Sequence, residues 1–87
     1  MLRSNMDSIK VDKTLDVKGV GSERIGALAK TALGNMCAGQ VLKIVADDPS
    51  TRSVISDICS DKGHLLIESQ EDKGMLLYAI KKVETEF

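Results

Sequence analysis

Hydrophobic residues alternate with polar ones at the start of the chain. Ile9, Val11, Leu15 and Val17 are interleaved with Lys10, Asp12, Thr14 and Asp16. A period of two predicts a half-buried strand within 9–17. Gly19 and Gly21 interrupt the pattern and permit a sharp turn. Ser22 is suited to cap a helix, because its hydroxyl can accept from a backbone N–H that has no partner in the first turn. Ile25, Leu28, Ala29, Ala32, Leu33 and Met36 then recur at helical spacing, with Arg24, Lys30 and Asn35 off the stripe. Gly39 is expected to end this helix.

Val41, Leu42, Ile44, Val45 and Ala46 are nearly continuous in apolar character, as in a central strand. Asp47-Asp48-Pro49 predicts the next helix start, with Asp48 as cap and Pro49 at the first helical position, where a missing N–H costs nothing. Val54, Ile55, Ile58 and Cys59 form the stripe of this second helix, and Gly63 closes it. Two further strands follow, Leu65 to Gln70 and Met75 to Val83. They are joined by Glu71-Asp72-Lys73-Gly74, where Gly74 supplies a positive φ. The order is βαβαββ. Right-handed crossovers place both helices on one face of a four-stranded mixed sheet, giving an α+β two-layer sandwich. Ile25, Leu28, Leu33, Ile44, Val54, Ile58 and Leu66 are the expected core. With 87 residues the chain has the length of one domain, its core about 9–83, and residues 1–8 and 84–87 are expected to be frayed.

Composition narrows the function classes. The net charge is −1, and Tyr78 and Phe87 are the only aromatic residues. Nucleic-acid binding draws on excess positive charge, and single-strand binding adds aromatic stacking platforms; neither is present, which argues against a nucleic-acid partner. No apolar run is long enough for a signal-peptide core or a membrane span, so the expected compartment is the cytoplasm, with Cys37 and Cys59 as free thiols. Cys37, Cys59 and His64 lack close metal-ligand spacing, and no metal or cofactor is expected. Gly19 and Gly21 precede a helix without the remainder of a phosphate-loop motif.

Leu15-Asp16-Val17-Lys18-Gly19-Val20 resembles the opening motif of the TusA/SirA sulfur-carrier family. Asn35-Met36 with Gly39, Ala46-Asp47-Asp48-Pro49, Gly63-His64 and Tyr78-Ala79-Ile80-Lys81-Lys82 are similar to later family segments, in the same order and spacing. The resemblance covers about residues 14–83. It implies a βαβαββ sandwich akin to the C-terminal domain of translation initiation factor three. It also implies carriage of sulfur as a persulfide on the cysteine of a Cys-Pro-x-Pro motif, received from a cysteine desulfurase-like or rhodanese-like donor and passed to an acceptor. That cysteine caps the first helix, where unpaired N–H groups and the helix dipole favour its thiolate.

At the matching positions this chain has Ser22, Glu23, Arg24 and Ile25: the cysteine is serine and both prolines are gone. Loss of all three residues speaks for natural divergence. A serine cannot hold a persulfide, and a helix dipole worth about 0.3–1 kcal/mol does not ionise a hydroxyl at neutral pH. Ser22 therefore reads as a plain cap. Gly21, Ser22, Glu23 and Arg24 are candidate partner-binding residues rather than catalytic ones. The expected role is a binding or regulatory subunit of a sulfur relay, facing a desulfurase-like donor or a sulfur acceptor. The alternative is a working sulfurtransferase that uses Cys37 or Cys59. Cys37 lies near the C-terminal end of the first helix, the wrong end of the dipole for a reactive thiolate, and Cys59 reads as a small buried hydrophobe.

Overall fold

The computed structural model describes residues 9–83. The expected fraying of 1–8 and 84–87 lies outside them. The elements are β1 (Lys13–Asp16), α1 (Ser22–Gly34), β2 (Val41–Ala46), α2 (Thr51–Lys62), β3 (Leu65–Asp72) and β4 (Met75–Lys81). They form one four-stranded sheet in the order β1-β2-β4-β3. β1 and β2 are parallel, and β4 is antiparallel to both of its neighbours, β2 and β3. β3 therefore runs parallel to β2 with β4 between them. Both helical crossovers step across the sheet in the same direction, so one handedness puts α1 and α2 on the same face.

Cross-strand register explains which side chains meet the helices. Leu42 pairs with Ile80, Ile44 with Tyr78 and Ala46 with Leu76, and successive pairs of this set share one face. These six join Ile25, Ala29, Ala32 and Leu33 of α1 and Ile55 and Ile58 of α2 in a single core cluster. Each fully buried large aliphatic side chain contributes about 1.5–3 kcal/mol by leaving water. The helices touch at Gly26, where an added Cβ would lie 3.6 Å from Val54 Cγ1. Among the described residues, the opposite face of the sheet carries a small cluster of Val41 and Ala79, with Ile9 and Leu77 against it.

Several sequence expectations are corrected. Leu66 is not core but 42% exposed. It pairs with Ile80 from the edge strand β3, which has a neighbour on one side only, next to a register shift between Leu66 and Glu68. Leu28 and Val54 are half-buried at the margin of the core. α1 ends at Gly34 with Asn35 as its C-cap, not at Gly39. Its last turn tightens: Asn35 N–H is shared between the Thr31 and Ala32 carbonyls, and Met36 N–H donates to Leu33 O at 3.1 Å. Gly39, at φ 92°, belongs to the following turn. α2 starts at Thr51, two residues beyond Pro49. Asp48 still organises that start, since its carboxylate accepts from Ser50 N–H at 3.0 Å. Gly63 closes α2 in the left-handed conformation, as expected. At the β3–β4 turn Lys73 and Gly74 both have positive φ. That is the two-residue hairpin whose twist matches the strands.

Tyr78 is 1% exposed, and its hydroxyl has no hydrogen-bond partner among the described residues. An orphaned buried hydroxyl costs about 1–3 kcal/mol. Tyr78→Phe is accordingly expected to raise the unfolding free energy by about 1 kcal/mol in urea titration. A loss of stability would show that the hydroxyl is satisfied in solution.

Candidate functional site

β1 and β2 are parallel neighbours, so their carboxyl ends lie at the same end of the sheet. The chain leaves β1 through Val17-Lys18-Gly19-Val20 and enters α1; it leaves β2 through Asp47-Asp48-Pro49-Ser50 and enters α2. Two helix N-termini are thus brought together. The first loop is pinned from both sides: Val17 N–H donates to Val45 O at 2.8 Å and Val20 N–H to Val17 O at 3.1 Å. Asp16 holds Lys18 twice, through its backbone N–H at 3.0 Å and its ammonium at 3.8 Å. Gly19, at φ 77°, donates its N–H to the Asp47 carboxylate at 3.2 Å, which joins the two loops. A contact spanning 28 positions has no local sequence signal.

At the start of α1 the N-cap is Gly21, in extended conformation and with no side-chain cap bond. This corrects the reading of Ser22 as cap. Ser22 is the first helical residue, and its hydroxyl does not close the helix end. Gly21 O accepts from Arg24 and Ile25 N–H at 3.0 and 3.1 Å. The N–H groups of Ser22 and Glu23 have no intrahelical carbonyl to reach. Ile25 is fully buried and anchors the turn, whereas Gly21, Glu23 and Arg24 are exposed and Ser22 is half-buried. The four expected partner-binding residues therefore form one continuous, accessible helix start.

The thiols are elsewhere. α1 is thirteen residues long, about 20 Å from end to end, and Cys37 lies three residues beyond it. Cys37 is exposed, and its N–H donates to Gln40 Oε1 at 2.8 Å. Its loop meets the end of β4: Gly39 N–H donates to Lys82 O at 2.8 Å, and the Lys82 ammonium to Met36 O at 2.6 Å. His64 Nδ1 accepts from Val83 N–H at 3.0 Å, which places the one histidine of the sequence at that same far end and not beside Ser22. Cys59 is half-buried in the second half of α2, packed against the main core. Desolvation pushes its pKa up from the ordinary thiol value. Asp48, half-buried, has its pKa lowered by the Ser50 N–H first and the Ser50 hydroxyl second. No group of three or more His, Cys, Asp or Glu able to hold a metal occurs among the described residues.

These placements predict unequal thiol kinetics. In the folded protein Cys37 is expected to react with a disulfide reagent promptly. Cys59 should follow slowly, its rate climbing only above the ordinary thiol pKa because burial disfavours its thiolate. Mass spectrometry of quenched time points would assign the two phases. Faster labelling of Cys59 would contradict the packing described.

No family model matches the chain. It is 38% identical over 77 residues to the sulfur carrier protein TusA of Pseudomonas putida strain GB-1, a match covering 88% of this chain and 96% of that protein. It is also 38% identical to the sulfur carrier protein TusA of Pseudomonas aeruginosa strain PAO1 over 72 residues, 83% of this chain and 91% of that protein. The crystal structure of a SirA-like protein from Desulfitobacterium hafniense superposes with a TM-score of 0.73 at 24% identity, covering 83% of this chain and 99% of that one. The likeness to that structure concerns the fold. The identities and coverage carry the family: the chain belongs to the TusA/SirA-like sulfur carriers.

Proposed function

We propose that this protein is a divergent sulfur carrier that has given up sulfur transfer and acts in the cytoplasm as a binding or regulatory subunit of a sulfur relay. The observation that carries this reading is Ser22 at the exposed start of α1. The resemblance assigns that position to the sulfur-bearing cysteine. A hydroxyl there forms no persulfide, and His64, the one histidine of the sequence, lies at the other end of the sheet. What the site retains is shape. A helix start with accessible Gly21, Ser22, Glu23 and Arg24 is held by the Gly19–Asp47 bond and the buried Ile25. That surface would meet the desulfurase-like donor or the sulfur acceptor that family members meet, without taking the sulfur. No helix among the described residues is long and apolar enough to cross a membrane.

The test is incubation with a cysteine desulfurase and isotopically labelled cysteine, followed by intact-mass and peptide analysis, with the binding of the desulfurase measured alongside. Expected are a complex and no added sulfur. Transferable sulfur on Cys37 or Cys59 would overturn the reading in favour of a working carrier with a relocated thiol. That carrier would present its sulfur from a different part of the molecule, which complicates use of the family's partner surface.

A further inference from the structure

β3 comes last in the sheet order β1-β2-β4-β3, so one of its sides has no neighbouring strand. Every second residue along such an edge turns its backbone N–H and C=O outward. Among the described residues, no backbone bond from outside the sheet reaches 65–72. At eight residues β3 is also the longest strand of the sheet. The other edge, β1, has the usual protection: it is four residues long and is bounded by exposed Lys13 and Asp16. The start of β3 has no such charges. Leu65, Leu66 and Ile67 follow one another there, and they are all the large hydrophobic side chains that stand exposed among the described residues.

Beyond the register shift at Ile67, β3 pairs regularly with β4 from Glu68 to Asp72. This half holds three acids, Glu68, Glu71 and Asp72, and β3 contains no basic residue. Their stretch of β4, from Ala79 back to Met75, carries no charge. None of the three acids makes an ion pair among the described residues. Lys73 follows in the turn, and Lys81 stands opposite Leu65 at the apolar end, so the acids are in excess where they lie.

This pattern chooses between occupants. A second β3 laid antiparallel along the whole strand would set Leu65 and Leu66 against Asp72 and Glu71. Laid parallel in register, it would set each acid against its own copy. Both arrangements are unfavourable. Sliding two copies until only their apolar ends overlap leaves a pairing of three residues. A strand of different sequence satisfies both halves at once.

We infer that the β3 edge is a docking site for an extended segment of a partner protein. The segment adds to the sheet antiparallel to β3, basic where it passes Glu68–Asp72 and apolar where it passes Leu65–Ile67. The inference does not depend on the role of the α1 start, because the two surfaces share no residue.

The probe is the peptide acetyl-Lys-Arg-Thr-Thr-Lys-Val-Ile-Val-amide, titrated into the full ¹⁵N-labelled chain and followed by NMR. Expected are saturable shifts centred on 65–72, slowed exchange of the outward amides of β3, and weakening by salt. Two N-methylated versions, at odd and at even residues, keep every side chain. The one whose methyl groups face β3 should lose binding while the other keeps it. Glutamate in place of each lysine and arginine should abolish the shifts. Glu71→Lys with Asp72→Lys, both exposed, should weaken binding about tenfold by turning attractions into repulsions. Leu65→Ser should weaken it about threefold with the salt dependence unchanged. Equal binding of the two N-methylated versions, binding of the glutamate peptide, absence of saturation, or shifts centred on 21–24 would each overturn the inference. So would a β3 edge already protected from exchange without peptide. In a concentration-dependent dimer that would assign the edge to a second copy, and in the monomer to another segment of this chain.

Discussion

Ser22→Cys combined with Glu23→Pro is expected to accept sulfur from a desulfurase that leaves the unaltered protein unloaded, and to accept more than Ser22→Cys alone. In that step the new thiolate attacks the terminal sulfur of the donor's cysteine persulfide, and the donor thiolate departs. Loading therefore follows the thiolate fraction at position 22. Two effects of the proline act together. Removing the Glu23 carboxylate takes away a charge that, at roughly 6 Å in water, costs a neighbouring anion about 0.7 kcal/mol, or a factor of about three in thiolate. Proline also disfavours helical backbone at the residue before it. Residue 22 would shift from first helical residue to cap, so that its sulfur faces the free N–H groups of the first turn. Intact-mass spectra of the two variants after identical desulfurase treatment make the comparison. Equal loading would refute the part assigned to Glu23 and the helix start, while leaving the argument about Ser22 itself in place.

The second proline of the family motif behaves differently in this chain. Ile25→Pro is expected to destabilise the fold by about 2–5 kcal/mol, comparable with the loss from Ile25→Ala. Ile25 is fully buried in the core cluster, and its N–H donates to Gly21 O at 3.1 Å. Proline removes that donor and leaves unfilled volume beneath α1. Against a total stability of about 5–15 kcal/mol, such a change is large enough to read directly in a urea titration. Rebuilding the whole family motif here would thus weaken the scaffold that presents it, and the two-residue change is the better probe of restored chemistry. An Ile25→Pro variant as stable as the parent would mean that α1 can shift on the sheet to refill the space.

Much of this architecture was legible in local pattern. The alternation from Ile9 to Val17 marked β1, and the nearly continuous apolar run from Val41, broken only by Lys43, marked β2 as a strand with neighbours on both sides. The stripe from Ile25 to Leu33 marked the buried face of α1. The misses have a common cause in tertiary context. Leu66 has the composition of a core strand residue, but being core depends on β3 lying at the edge, which no window around Leu66 reveals. The end of α1 moved to Gly34 because Met36 could be buried just as well from a tightened turn as from a further turn of helix. At the candidate site, Gly21 to Arg24 could be located by resemblance. The bond from Gly19 to Asp47 and the replacement of Ser22 by Gly21 as cap depend on how two loops meet in space.

The position of β4 has a consequence for how the chain acquires its structure. It is the last strand in sequence but an inner one in space, inserted between β2 and β3. Until it arrives, β2 and β3 each present an unpaired edge, and Leu76, Tyr78 and Ile80 are missing from the centre of the core. The β3–β4 hairpin can form locally, but its docking against β2 closes a long loop and completes the hydrophobic layer in one step. A chain interrupted anywhere before Met75 therefore cannot settle into a smaller version of this fold. It would hold open strand edges beside exposed aliphatic surface, the combination most prone to intermolecular pairing. The last strand to leave the ribosome is thus the one that joins the two halves of the sheet.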